Sequence, residues 1–285
     1  MQIPAAHAGN LDQAAYWNGV GGRHWSERQA MQDMLLGPVS AILMAQARAA
    51  AGEIILDIGC GCGATSLELA QRVGPGGAVL GLDISAPMIQ RARDLAPPGA
   101  PVRFVEADAT IYQFEPERAH ALVSRFGVMF FADPSLSFAN MRRGLRKGGR
   151  AAFACWREPE LNPWLLAPLR EAYKHVPRLP ELGPDDPGPF SFAREERVRG
   201  VLGEAGFIDI ALTPFDLTLD VAVGKGLDGA LASALEIGPA SRALEGQPPE
   251  ICAAAAQAIR TMLAARQQGD RVPMDGAIWI VTANN

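Results

Sequence analysis

Four cysteines and four histidines in 285 residues leave little material for a metal centre or a disulfide scaffold. The cysteines are Cys60, Cys62, Cys155 and Cys252. Cys60 and Cys62 fall inside a glycine-rich turn that restricts how their side chains could share an ion, and no second Cys/His pair lies near them. No metal site is therefore expected. A surplus of positive charge is also missing: 26 Lys and Arg stand against 31 Asp and Glu, for a net charge of −5 and a pI near 5.5. That balance argues against a nucleic-acid partner, which would call for a basic face. The densest basic cluster, Arg142-Arg143 with Arg146-Lys147, reads as a solvated helix end. Long apolar runs are absent too. The alanine-rich stretch 251–265 is interrupted by Gln257, Arg260 and Thr261, so no membrane span is expected. The first ten residues lack the basic and apolar regions of a secretory leader. These absences together fit a reduced cytoplasmic enzyme with a small-molecule partner, and they are compatible with a homodimer.

What is present concentrates in residues 53–63, Glu-Ile-Ile-Leu-Asp-Ile-Gly-Cys-Gly-Cys-Gly. A run of β-formers ends in three glycines at alternate positions, and an apolar periodic segment, 65–73, follows at once. The pattern predicts a buried strand, a tight turn and the start of a helix. Glycine suits such a turn because its backbone can bend sharply and approach a ligand without a Cβ in the way. A second strand, 78–82, runs into Asp83, about twenty residues beyond the turn, where a carboxylate can accept bonds from both ribose hydroxyls. Gly59-x-Gly61-x-x-Ala64 also satisfies the loose dinucleotide pattern, so a nicotinamide cofactor must be weighed. Asp57 counts against it, since a carboxylate two residues before the first glycine repels a pyrophosphate and suits a cationic, amine-bearing ligand. A third strand, 102–106, closes on Ala107-Asp108-Ala109, and a fourth, 121–123, leads into Ser124-Arg125-Phe126.

With these motifs the chain resembles the class I S-adenosylmethionine-dependent methyltransferases, in particular the small-molecule branch that includes the quinone-biosynthesis enzymes. The matching residues are Leu56-Asp57-Ile58-Gly59-Cys60-Gly61-Cys62-Gly63, then Gly81-Leu82-Asp83-Ile84-Ser85-Ala86-Pro87-Met88, then Glu106-Ala107-Asp108-Ala109. Ser124-Arg125-Phe126-Gly127-Val128-Met129-Phe130-Phe131 and the turn Leu145-Arg146-Lys147-Gly148-Gly149-Arg150 follow in order. The resemblance covers roughly residues 12–155 and fades afterwards. It implies S-adenosyl-L-methionine as cofactor. Asp83 would then hold the ribose, and Asp57, Gly59, Cys60 and Gly61 would lie beside the methionine half. Ile84 and Met88 would flank the adenine, Asp108 and Ala109 would meet its amine, and Ser124 and Arg125 would close the site. One departure is visible: the family usually has an acid just before the fourth strand, where this chain has His120.

The alternation of strands and helices over 53–155 predicts an α/β fold, a doubly wound, Rossmann-like, seven-stranded sheet with helices on both faces. We divide the chain into an N-terminal helical lid (1–50), a cofactor-binding core (51–156) and a proline-rich insertion (157–190). A core continuation (191–226), a helical insertion (227–270) and a last core strand (271–285) complete it. Within the lid, residues 13–19 are expected to break at Gly21-Gly22. Helices are expected over 26–36, capped by Ser26, and over 38–50. Tyr16, Trp17 or Trp25 is expected over the cofactor, the other reading being that these aromatics pack the segment on the core. Further on, a helix is expected over 192–205, a strand bent at Pro214 over 207–220, and helix over 227–268 broken only at 246–249. Both insertions should sit above the carboxyl ends of the strands, where loops carry function.

Methyl transfer from a sulfonium needs few side chains, because the leaving thioether requires no acid. His24 and Arg125 are the candidate catalytic residues: the first lies in the lid, and the second stands at the end of the fourth strand, where it could bind an anionic group or pair with an acid. His7, His120 and His175 are read as an end, a strand start and a surface residue. Phe126, Met129, Phe130 and Phe131, with Trp156, Trp164, Leu165 and Phe190, point to a partly apolar acceptor. Cyclisation or rearrangement on the same fold, or nucleoside binding without catalysis, are the other readings.

Overall fold

The computed structural model describes residues 6–180 and 183–285; residues 1–5 of the expected lid and 181–182 of the proline-rich insertion lie outside them. Among the described residues a 3-10 turn (Ala8–Asn10) leads into four short helices, α1 (Leu11–Asn18), α2 (Val20–Glu27), α3 (Gln29–Leu35) and α4 (Gly37–Ala47). The alternating part follows as β1 (Ile54–Ile58), α5 (Ala64–Val73), β2 (Ala78–Asp83), α6 (Ala86–Leu95), β3 (Val102–Glu106), β4 (Ala119–Arg125), α7 (Pro134–Gly144) and β5 (Leu145–Trp156). Then come α8 (Pro163–Ala172), α9 (Glu195–Glu204), β6 (Ile208–Asp220), α10 (Gly226–Glu236), α11 (Pro239–Leu244), α12 (Pro249–Ala264) and β7 (Pro273–Asn284). No helix among the described residues is long and apolar enough to cross a membrane.

The seven strands form one sheet in the order β3-β2-β1-β4-β5-β7-β6. β1 to β5 are parallel, while β7 runs antiparallel to both β5 and β6. β1 lies inside the sheet and is covered on both faces, which is why its sequence is a continuous apolar run apart from Asp57. Strand order reverses between β1 and β4, and the crevice outside their carboxyl ends is where this architecture receives ligands. His120 serves the opposite end of these strands: its Nδ1 accepts the Ile54 N–H at 3.1 Å, so the departure from the family acid is a backbone contact at the start of β1.

Several local readings need correction. Gly21 and Gly22 lie within α2 and do not end a helix. A Cβ at Gly21 would strike the Tyr16 ring, and one at Gly22 would strike the Trp17 carbonyl and the Ser85 hydroxyl. These glycines permit close packing. Ser26 caps nothing, because it sits inside α2 with its hydroxyl donating to the Arg23 carbonyl. β6 pairs with β7 straight through Pro214, and its irregularity falls between Ile208 and Ala211, where Asp209 has a φ of 52°. Proline is tolerated there because β6 is an edge strand. The helical stretch after residue 226 breaks a second time, at Ile237 and Gly238, and the helix expected over 192–205 begins only at Glu195.

Candidate cofactor and active site

The turn after β1 is built from three left-handed glycines, with φ of 63° at Gly59, 55° at Gly61 and 87° at Gly63. They serve different ends. A Cβ at Gly59 would come within 2.5 Å of the Gly127 Cα, so Gly59 lets the loop after β4 lie against the turn. At Gly61 the Cβ direction is open, with only the Met88 Sδ at 3.8 Å. Gly61 and Met88 therefore border the same space. Cys60 does not face it. Its N–H donates to the Leu82 carbonyl, as does that of Gly59, and its side chain packs with Ile89, Ala92 and Phe104. The Cys60 side chain thus belongs to the core, and only its backbone lies in the turn. Burial raises the thiols of Cys60 and Cys62, with Asp83 adding to both, and the Cys62 thiol reaches about 12. Such thiols resist the deprotonation that metal binding requires.

Two acids converge on this turn. Asp57 is fully buried; its Oδ2 accepts hydrogen bonds from the Thr65 hydroxyl at 2.7 Å and the Ser66 hydroxyl at 2.5 Å, both in the first turn of α5. Its Oδ1 has no partner among the described residues. Asp83, also buried, accepts the Gly61 N–H on Oδ2 at 2.8 Å and the Ser85 N–H on Oδ1 at 2.9 Å. Burial pushes both carboxyls up to about 6 against the pull of these hydrogen bonds; Arg125 draws Asp57 down and Asp83 pushes it up. A dry pair of acids with one unpartnered oxygen is a place that favours a cation.

Asp108 at the end of β3 is already engaged. Its Oδ2 accepts the His7 N–H and the Asn10 side-chain amide, both at 2.9 Å, and its Oδ1 accepts the Thr110 N–H at 2.8 Å. Asn10 also bonds the Thr110 hydroxyl and accepts the Ala132 N–H. Asn10 thus stands where an amine donor to Asp108 was expected, and His7 is tied to the core rather than belonging to a loose end. The Ala109 side chain is buried in the main core, and its carbonyl accepts the Asn140 amide.

The N-terminal helices lie across the carboxyl ends of several strands. Asn18 donates to the Ile84 carbonyl and accepts the Ala86 N–H, and Ser85 donates to the Trp17 carbonyl at 2.6 Å. Trp17 meets Phe130 edge-on at 5.1 Å and Trp25 at 6.3 Å. The Tyr16 ring meets Trp17 edge-on at 5.0 Å and lies under the Arg242 guanidinium at 5.6 Å, so it joins α1 to α11.

Arg125 is a tie as well. It donates to the Ser40 hydroxyl at 2.8 Å and to Asp33 at 3.1 Å, with its side chain only 12% exposed. Of the two readings of Arg125, the structure favours the pair with an acid. Ser124 is buried and its hydroxyl accepts the Gly127 N–H. His24 sits half-buried in the last turn of α2, and His175 is exposed. Phe126 has a φ of 68°, a costly conformation for an aromatic residue. It is held there by its N–H to the Ala154 carbonyl and by stacking on Trp156 at 4.1 Å. Asn10, Asn18 and Asp33 carry no local signal in the sequence, since each acts on a partner at least sixty residues away.

A family model described as a methyltransferase domain matches residues 55–149, from β1 to the start of β5. The ubiquinone/menaquinone biosynthesis C-methyltransferase of Serratia proteamaculans is 30% identical over 183 residues, covering 59% of this chain and 70% of that protein. The chain belongs to the class I S-adenosylmethionine-dependent methyltransferases. An uncharacterized protein of Mycobacterium tuberculosis H37Rv is 28% identical over 175 residues, and the match spans 61% of either chain. Among solved structures, the phosphoethanolamine N-methyltransferase 2 of Haemonchus contortus in complex with S-adenosyl-L-methionine superposes with a TM-score of 0.55 at 17% identity. It covers 97% of this chain and 59% of that one, which shows that the class I methyltransferase fold extends past the matched domain.

Proposed function

We propose that this class I methyltransferase moves a methyl group from S-adenosyl-L-methionine to a small, partly apolar acceptor. The observation that carries the reading is the buried Asp57 carboxylate, with one oxygen unpartnered, beside the buried Asp83 at the switch point of the sheet. Both carboxyls are raised by desolvation, and a cationic ligand would offset that cost. A dinucleotide, with its anionic pyrophosphate, would add to it. The residues present fit the cofactor. Asp83 keeps acceptor capacity for a ribose diol, the open side of Gly61 beside Met88 leaves room for a flat base, and Trp17 and Trp25 offer aromatic faces to a sulfonium.

When bound, the cofactor supplies an electrophilic methyl group whose departure leaves a neutral thioether. The chain's own residues then have to hold the acceptor in line and exclude water. α1 and α2 act as the lid. The loop after β4 is fastened by the bonds that the Met129 carbonyl accepts from the Gly188 N–H and the Ser191 hydroxyl. We assign the acceptor to the space among that loop, the proline-rich insertion and the helical insertion. No side chain is assigned as a general base, so catalysis rests on positioning. Isothermal titration with S-adenosylmethionine, S-adenosylhomocysteine and NAD tests the reading. Binding of the first two and not the third is expected, and the reverse would overturn it.

A further inference from the structure

The sheet runs β2-β1-β4-β5 across the switch point, and its cover comes from two distant parts of the chain. On one side, α1 and α2 are fastened over the end of β2. The buried Asn18 bonds the backbone of Ile84 and Ala86, the buried Ser85 bonds the Trp17 carbonyl, and the Cys62 thiol meets the Trp25 carbonyl at 3.9 Å. On the other side, α10 stands over the end of β5, because Ser233 and Ile237 share a cavity wall with Trp164, whose ring lies 5.1 Å from that of Trp156. The chain turns between α10 and α11 at Gly238, with a φ of 83°, where a Cβ would press on the Leu165 Cδ2 at 3.0 Å. The corner is thus seated on α8. Both of its ends reach the N-terminal helices. Glu236, the last residue of α10, pairs with Arg28 just after α2, and Arg242 in α11 lies 5.6 Å from the Tyr16 ring in α1. Gly21 makes room for that ring, since a Cβ there would stand 2.4 Å from it.

The two junctions differ in kind. Buried side chains bonded to backbone hold α1 and α2 to β2, whereas the contacts with the corner are open to water, Arg28 being 46% and Glu236 30% exposed. Water and salt compete with an ion pair so placed, so this junction is the weaker and opens first. We propose that the corner between α10 and α11 is a clasp that ties the two covers together across the ends of β1 and β4 and releases for ligand exchange in the crevice. Opening parts the corner from α1 and α2 and leaves their bonds to β2 in place. The clasp governs how fast the crevice exchanges its ligand, and it takes no part in the methyl transfer. It rests on the proposed function only for the cofactor as that ligand.

Hydrogen exchange on the ligand-free full chain reads the clasp itself. Glu236→Gln should quicken exchange over residues 11–27, and Arg28→Gln over 226–244, by about two- to fivefold, the scale of one exposed ion pair. Quickening confined to the element that carries the substitution, or none in either variant, overturns the proposal. Release of tritium-labelled S-adenosylhomocysteine, chased with the unlabelled compound, reads its function. Each single variant should release about two- to fivefold faster than the wild type, and Arg28→Gln with Arg242→Ala about tenfold, because both contacts are then lost. Arg28→Glu combined with Glu236→Arg should restore the wild-type rate. Raising the salt from about 0.05 to 0.5 M should speed release from the wild type and leave Glu236→Gln unmoved. Wild-type rates in both single variants, or a charge exchange that releases as fast as they do, overturn the proposal. Thermal melting of each variant identifies any loss of fold. Failure of the labelled compound to bind the wild type would sink the methyltransferase reading, while the exchange measurements still read the clasp.

Discussion

Gly59 and Gly127 face each other so closely that a methyl group on either would come within 2.6 Å of the other's Cα. One ends β1 and the other follows β4, so their contact sets the width of the crevice at the switch point. Gly127→Ala would also press on the carbonyls of Ile58 and Gly59, at 2.8 and 3.0 Å. Backbone cannot rotate away as a side chain can. We predict a loss of about 1–3 kcal/mol in stability for Gly127→Ala, and more for Gly59→Ala, whose φ of 63° is an added strain. Gly61→Ala, with open space beside it, should lose less by packing and more in cofactor affinity. Denaturant melts and cofactor titrations on the three variants check the order.

Asp57 should make the ligand-free protein more stable in mild acid. Its carboxyl is raised from 3.8 to about 6 in the folded chain, chiefly by burial. The folded state then binds more protons than the unfolded state between those values, so stability falls as pH rises through that window. Below about pH 4 the penalty is absent, and above about 6 it is fully present, at roughly 3 kcal/mol for two units. Asp83 carries a shift in the same direction and contributes alike. Asp57→Asn should flatten this part of the profile and raise the melting temperature at pH 7.5, while weakening the binding of S-adenosylmethionine. A melting temperature for Asp57→Asn that falls in parallel with the wild type from pH 5 to 7 would remove Asp57 as the cause.

The parts of this molecule that were legible in the sequence are those whose cause is local. β1, its glycine turn, α5, and Asp83 at the end of β2 are written in consecutive residues whose apolar period and glycine spacing leave little choice. The N-terminal helices were harder. Gly21 and Gly22 look like a helix break, yet they are there because Tyr16 and Ser85 take up the space of a side chain. Motif position sets Cys60 beside a ligand and leaves Arg125 to an anionic group or to an acid, because their partners, Phe104 in β3 and Asp33 in α3, are set only by tertiary packing. Asn10 shows the same limit. Nothing around it announces that its amide will bridge two loops about a hundred residues on.

Asn10→Ala tests that bridge. The substitution removes donors to Asp108 and Thr110 and an acceptor for Ala132, while the His7 N–H remains on Asp108. A loss of about 1–3 kcal/mol is expected from the groups left unpaired. Because the break is confined to the junction of the N-terminal segment with β3 and the loop after β4, it should appear first as local opening. Hydrogen exchange should quicken over residues 7–18 before global unfolding, and limited proteolysis should cut there. Unchanged exchange in that stretch would mean that Asn18 and Ser85 suffice to hold the N-terminal helices.

Asp33→Asn and Arg125→Met both break the ion pair that joins α3 to β4, but they differ in the charge they leave. Arg125 lowers the proton affinity of Asp57, whereas Asp33 is absent from the influences on it. Both variants should lose stability, and with the double variant the cycle should give a coupling of about 0.5–3 kcal/mol, since the pair is partly buried and hydrogen-bonded. Their pH profiles should separate. In Arg125→Met the Asp57 carboxyl loses a stabilising cation, so the fall of stability with pH extends above pH 6. In Asp33→Asn the cation stays, and the profile keeps its wild-type position. Cofactor affinity measured across the same range should follow the same split, with tight binding requiring a higher pH in Arg125→Met alone. If both variants shift the profile equally, Arg125 acts on the crevice only through the placement of α3. If they part as described, it also sets the charge of the buried Asp57.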